Sequence, residues 1–142
     1  MEKHIKNTAD AVIWRKGRTD DEYEILLIQR KNPPFQGNFA LPGGFVEYGE
    51  SVEDACIREA KEETNLDVKV VKLIGVYSKP DRDPRGHTIT AAFLCVPLEN
   101  SNPLAGDDAK NAKFFKISEI LHEQLAFDHI SIIEDALKFL KK

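Results

Sequence analysis

The chain has 142 residues, 42% hydrophobic and 31% charged, with a formal net charge of −4, which suits one domain spanning 1–142 with a full core. The acidic balance argues against a nucleic-acid surface, which needs clustered Lys and Arg. No apolar run approaches the roughly 20 residues of a membrane span, and MEKHIKNTAD does not read as a signal peptide, so a cytoplasmic protein without nucleic-acid or membrane partners is expected.

Thr8 to Arg15, TADAVIWR, alternates and is rich in β-formers, as a strand requires. Arg18 to Glu22 is turn-like, and Tyr23 to Arg30, YEILLIQR, reads as a second strand that should pair with the first. Lys31 to Asn38, KNPPFQGN, is a loop by its Pro and Gly content. Phe39 to Pro42 then leads into GGFVEYGESVEDACIREAKEETNL, residues 43–66.

That stretch reads as a Gly pair, a turn and a helix. Ser51 is the expected N-cap, Glu53 and Asp54 suit the positive end of the helix dipole, and Asn65 suits a left-handed cap at the far end. Val52, Ala55, Cys56 and Ala60 make an apolar stripe, and at about 100° per residue Glu59 and Glu63 fall within roughly 20° of its middle. Glu59, Glu62 and Glu63 are i, i+3 and i, i+4 neighbours, so their like charges destabilise the helix by about 0.2–0.5 kcal/mol per pair unless a positive charge sits among them. A hard divalent cation meets that need, because it takes carboxylate and carbonyl oxygens and keeps other positions for water and phosphate. Arg58 points away from Glu59 and is placed to brace the cluster from its side. The competing reading is a solvated face of ordinary helix-forming glutamates.

Beyond the helix, Val68 to Ser78 reads as one long or bent strand with Gly75 as a bulge. Lys79 to His87, KPDRDPRGH, is a loop that is locally basic in an acidic protein. Arg82, Arg85 and His87 there are candidates for holding a phosphate or terminal sugar, with Arg supplying bidentate contacts; alternatively, Asp81 and Asp83 neutralise the arginines internally. Thr88 to Leu98 should be a central strand. Glu99 to Asn111 is a loop carrying Asp107 and Asp108, Ala112 to Lys116 a short strand, Ile117 to Leu121 a turn of helix, and Ile130 to Leu140 a closing amphipathic helix. Cys56 and Cys95 are expected to be buried free thiols, and no CxxC pair or zinc-ligand spacing occurs.

The pattern Gly44, five residues, Glu50, seven residues, Arg58-Glu59-Ala60-Lys61-Glu62-Glu63, Thr64, Asn65, Leu66 resembles the signature of the Nudix hydrolases, which cleave nucleoside diphosphates linked to another moiety. Ala60 stands where a bulky aliphatic is usual and Asn65 where Gly is usual; neither change removes a ligand. The resemblance implies an α/β fold, an α/β/α sandwich with a mixed sheet. It also implies Mg²⁺, with Mn²⁺ as a substitute, held by Glu59 and Glu63 with Glu62 close by and the Gly44 carbonyl completing the shell. Arg58 and Glu50 would orient these ligands. The general base would be Glu62, Glu47, Asp107 or Asp108, and Phe35 would either line the nucleoside pocket or pin its loop to the core.

The runs LIGVYSKPDRDPRGHT and LAFDH, the latter containing Asp128 and His129, are similar to the ADP-ribose pyrophosphatase branch. That branch implies hydrolysis of ADP-ribose, a small nucleotide-sugar substrate, to AMP and ribose 5-phosphate, and a homodimer. The alternatives left open are a nucleoside triphosphate or dinucleoside polyphosphate hydrolase, and a ligand-sensing Nudix domain without catalysis. A sensor is expected to carry a DNA-binding module and often a broken signature.

Overall fold

The computed structural model describes residues 3–17, 22–98, 111–120 and 123–140. In chain order these form β1 (Lys6–Lys16), β2 (Tyr23–Gln29), β3 (Phe39–Ala40), β4 (Gly43–Phe45), α1 (Val52–Thr64), β5 (Val68–Tyr77), β6 (Thr88–Pro97), β7 (Ala112–Lys116), α2 (Ile117–Ile120) and α3 (His129–Leu140). Most of the turn expected at Arg18–Glu22, and the loop acids Asp107 and Asp108, lie outside the described residues.

One mixed sheet runs in the order β3-β2-β1-β6-β5, with β4 against β1 and β7 against β2. β1 and β6 are parallel from Lys6↔Thr88 to Ile13↔Cys95, and the other pairings are antiparallel. Residue alternation divides the core between the two faces. Ala9, Ala11 and Ile13 of β1 join Phe93 and Cys95 under Ala55, Cys56 and Ala60 of α1. Val12, Ile25, Leu27 and Leu94 pack on the opposite face against Ile132, Ile133 and Ala136 of α3. Helix, sheet and helix form the α/β/α sandwich that the sequence implies. Each fully buried Ile or Leu here contributes about 1.5–3 kcal/mol, which anchors α3, whereas α1 is seated on the smaller Ala55, Cys56 and Ala60. No helix of the described residues is long and apolar enough to cross a membrane.

The caps of α1 are those expected. Ser51 accepts from the Asp54 N–H, and Asn65 sits in the left-handed region at φ 63°. β5 carries register shifts between Val70 and Lys72 and between Leu73 and Gly75, so Gly75 does mark an irregularity. Cys56 and Cys95 are free, buried and 3.8 Å apart at sulfur.

Two short strands were not foreseen. β1 pairs β4 over Thr8–Asp10 and β2 over Trp14–Lys16, so one edge of β1 forks. The chain crosses that fork at Leu41–Pro42, where Pro42 accepts from the Ala11 N–H. Segments of two and three residues have no periodicity of their own; their partners define them. The crossing delivers Gly43 opposite Asp10 and Gly44 opposite Ala9.

Candidate active site

The residues of α1 that face the sheet are small: Ala55, Cys56, Ala60 and Thr64 are its buried ones. A helix with so little bulk beneath it lies close to the sheet, and this brings its acidic flank onto the Gly pair. The Gly43 N–H donates to Glu63 Oε1 at 2.7 Å. A Cβ on Gly44 would stand 2.6 Å from the Glu59 carboxyl carbon, and one on Gly43 would run into the Asp10 carboxylate and lie 2.5 Å from the Ala9 carbonyl. Only glycine allows both carboxylates this approach.

Glu59 and Glu63 thus turn inward, and Glu62 remains 56% exposed at its side chain. Burial drives the Glu63 carboxyl up to about 8, and the neighbouring Glu59 and Asp10 carboxylates add to it against the Gly43 hydrogen bond. Burial also raises Glu59, against the pull of Arg58. Arg58 does more than brace from the side. Its Nε donates to Glu50 at 2.7 Å, one terminal nitrogen donates to Glu59 at 2.8 Å and approaches Glu62 at 3.3 Å, and the other reaches the Phe45 carbonyl at 3.0 Å. The hydrogen bonds from Arg58 hold Glu50 below the usual carboxylate range. One guanidinium therefore fixes the turn, the strand after Gly44 and the outer side of the acidic cluster, and its hydrogen bonds do not extend to Glu63 or to the second oxygen of Glu59.

A hard divalent ion fits that environment, because two partly buried carboxylates beside a glycine backbone offer hard oxygen donors and need positive charge between them. Among the described residues, no three His, Cys, Asp or Glu side chains are gathered tightly enough to hold an ion by themselves. Backbone, water or phosphate oxygens would therefore complete its shell.

The cleft in front of this cluster has a volume of about 140 Å³ and is lined by Asp10, Arg30, Gly43, Glu63, Arg85 and Phe127, among others. Three of these the sequence reading did not single out. Asp10 sits within the buried, otherwise apolar middle of β1, 6% exposed, and accepts from the Thr90 hydroxyl at 2.7 Å; a lone acid inside TADAVIWR was the available signal. Arg30 follows β2 and lies 5.0 Å from the centre of the Phe127 ring. Phe127, at φ 53°, had no signal beyond its place in LAFDH. Arg85 approaches the same ring at 5.7 Å, so two guanidinium groups approach one aromatic ring in the cleft that Glu63 also lines.

The remaining expected residues fall into different places. Phe35 does not line the cleft; it packs edge-on against Phe127 at 4.9 Å and so supports the ring that does. Arg82 is committed to Asp128 by two hydrogen bonds of 2.9 and 2.7 Å, with its side chain 4% exposed. Arg85 is paired with Asp83 at 2.9 Å but remains 46% exposed. His87 does not line the cleft; its Nε2 lies 3.0 Å from the Ser78 carbonyl. His129 accepts from the Leu41 N–H at Nδ1 and stands 3.9 Å from Asp10. Burial lowers its pKa, so the neutral ring anchors the crossing segment and does not form an ion pair with Asp10.

A sequence model of the NUDIX domain matches residues 6–136. An ADP-ribose pyrophosphatase from Methanocaldococcus jannaschii is 54% identical over 123 residues, covering 87% of this chain and 71% of that protein. The NUDIX domain of Shewanella oneidensis NrtR, solved in complex with ADP ribose, superposes with a TM-score of 0.82 at 28% identity, covering 99% of this chain and 91% of that one. A bifunctional NMN adenylyltransferase/ADP ribose pyrophosphatase from Francisella tularensis, complexed with AMP and a manganese ion, superposes with a TM-score of 0.74 at 31% identity; the match covers 96% of this chain and 42% of that one.

Proposed function

The chain belongs to the Nudix family, and from that premise we propose that it is a Mg²⁺-dependent pyrophosphohydrolase that cleaves ADP-ribose to AMP and ribose 5-phosphate. The observation that carries the reading is that one small cleft gathers two charge types, the carboxylates of Asp10 and Glu63, with Glu59 beside Gly44, and the guanidinium groups of Arg30 and Arg85. A diphosphate fits there only with a cation beside the carboxylates. The likeness to an ADP-ribose pyrophosphatase supports the choice of substrate.

In this reading Glu59 and Glu63 hold the ion, with the Gly44 carbonyl. When bound, Mg²⁺ offsets phosphate charge and makes a water acidic enough to attack phosphorus. Arg58 positions Glu50 and Glu59, and Arg30 and Arg85 bind the diphosphate oxygens. Glu62 is the general base. It lines, with Glu63 and Arg30, a pocket of about 340 Å³ on one side of the cleft, where it is open to water and held by Arg58 at 3.3 Å, in place to take a proton from water.

The test is phosphate release through a coupled phosphatase from ADP-ribose, NADH, diadenosine polyphosphates and nucleoside triphosphates, each with and without Mg²⁺. Mg²⁺-dependent preference for ADP-ribose is expected. Preference for a triphosphate would overturn the substrate, and silence across the panel together with tight ADP-ribose binding would favour a sensor domain. Mn²⁺ is expected to replace Mg²⁺ in the same assay.

Arg85→Ala should raise KM for ADP-ribose about tenfold and lower kcat by less, as loss of uniform binding requires. The loss is limited because Asp83 already shares the guanidinium. An unchanged KM in steady-state kinetics would remove Arg85 from the binding site.

A further inference from the structure

Three spaces adjoin along the cleft, and their sizes and linings differ. The inner cleft, at about 140 Å³, is well below the roughly 300–1,000 Å³ of sites that enclose a small organic ligand, so it has room for the diphosphate and not for the groups attached to it. On one side it shares Arg30 and Glu63 with the pocket of about 340 Å³ beside Glu62. On the other it shares Phe45, Asp83, Arg85 and Thr88 with a groove of about 860 Å³ between residues 3–6 and the Lys79–His87 loop. A diphosphate with a different group at each end has one space for each.

We infer that the 860 Å³ groove receives the nucleoside half of the substrate, its base stacked on Phe45, and that the pocket beside Arg30 and Glu62 receives the sugar phosphate half. This rests on the reading of the chain as a nucleoside diphosphate hydrolase and adds the direction in which the substrate lies. The chemistry of the walls decides the direction. The groove presents Ile5, Phe45, Pro80 and Pro84 as apolar surface, with Lys6 and Arg85 beside them. The opposite pocket is lined by Gln29, Arg30, Lys31, Asn32, Glu62 and Asn111 around Ile28, which suits hydroxyls and phosphate and offers no aromatic face among the described residues.

Phe45 is the ring available for stacking. It is 42% exposed, and Lys6 and Arg85 lie 5.4 and 5.7 Å from its centre. Phe127, the other ring at the cleft, is already approached by Arg30, Arg85, Phe35 and His129. Phe45 also belongs to β4, one residue after Gly44, and its carbonyl is held by Arg58. A base resting on that ring is therefore placed by the same short strand that carries the Gly pair, which fixes its distance from the reacting phosphorus.

The experiment is isothermal titration calorimetry of the full chain with AMP and, separately, with ribose 5-phosphate, using the wild type, Phe45→Leu, Phe45→Ala and Phe127→Leu. Leucine keeps most of the volume and removes the aromatic face. Phe45→Leu is expected to weaken AMP about tenfold, the effect of losing one base–aromatic stack, and to leave ribose 5-phosphate within about twofold. Phe45→Ala should weaken AMP at least as much. Unchanged AMP affinity in Phe45→Leu, loss of ribose 5-phosphate in place of AMP, or loss of AMP confined to Phe127→Leu would each overturn the inference. Absence of AMP binding to the wild type would overturn it as well. ADP-ribose turnover by the wild type tests the parent reading separately: turnover with AMP binding indifferent to Phe45 rejects only the direction, and Phe45-dependent AMP binding without turnover rejects only the substrate.

Discussion

Glu63→Gln is expected to lower kcat for ADP-ribose by on the order of 1,000-fold, the effect of losing several kcal/mol of charge stabilisation, and to make the metal-free protein more stable at pH 8. The two effects have one cause. Glu63 is buried against Gly43 with Glu59 and Asp10 nearby, and its carboxyl is pushed from 4.5 to about 8. A carboxyl raised on folding holds its proton more tightly in the folded chain than in the unfolded one. Its contribution therefore makes stability fall as pH rises from about 4.5 to about 8, by up to about 5 kcal/mol.

Glutamine removes that penalty and keeps an oxygen for the Gly43 N–H. In chelator at pH 8 the Tm of Glu63→Gln should exceed that of the wild type by roughly 15 °C, and at pH 4.5 the two should converge. Saturating Mg²⁺ should raise the Tm of the wild type and leave that of the variant nearly unchanged, since binding to the folded state alone stabilises it. Near-wild-type turnover in saturating Mg²⁺ would remove Glu63 from the ligand set, and equal Tm values in chelator at pH 8 would show that its carboxyl is not buried at a cost.

The sequence made α1 legible because every cue there is local. Ser51, Asn65 and the apolar stripe lie within one helix, and the same spacing turns Glu59 and Glu63 inward. The sheet order was less accessible. The fork in β1 that places β4 depends on partners far along the chain, and a three-residue strand has too few side chains to show alternation. The same limit applies to single residues. Phe35 and Phe127 are both aromatic residues in loops, and only the fold puts one at the cleft and the other behind it. Asp10 was visible as an acid in an apolar run, but its place opposite Gly43 follows from the pairing of β1 with β4.

Arg82 and Arg85 show the limit most plainly, because in KPDRDPRGH both arginines stand within two residues of an aspartate and both suit a phosphate. The decisive partner of Arg82 is Asp128, 46 residues away. With its side chain 4% exposed, Arg82 ties the loop to the residue before α3, and in doing so holds Asp83 and Arg85 at the cleft. Removing one member of a buried pair leaves the other charged without compensation, which costs about 3–5 kcal/mol. The 27% exposure of Asp128 lets water replace part of a lost partner, so the two single variants should differ. Asp128→Ala, which strands the buried guanidinium, should cost about 3 kcal/mol and lower Tm by about 10 °C. Arg82→Ala, which leaves the more accessible carboxylate, should cost less, and the double variant should be no less stable than Asp128→Ala, as coupled neighbours require. Conservative Arg82→Lys keeps the charge and loses the two-pronged geometry, so its Tm should fall between those of Arg82→Ala and the wild type. In each variant KM for ADP-ribose should move less than in Arg85→Ala. Thermal denaturation beside steady-state kinetics decides the matter: an unchanged Tm with a tenfold rise in KM for Arg82→Ala would make Arg82 a substrate-binding group and dissolve the distinction between the two arginines.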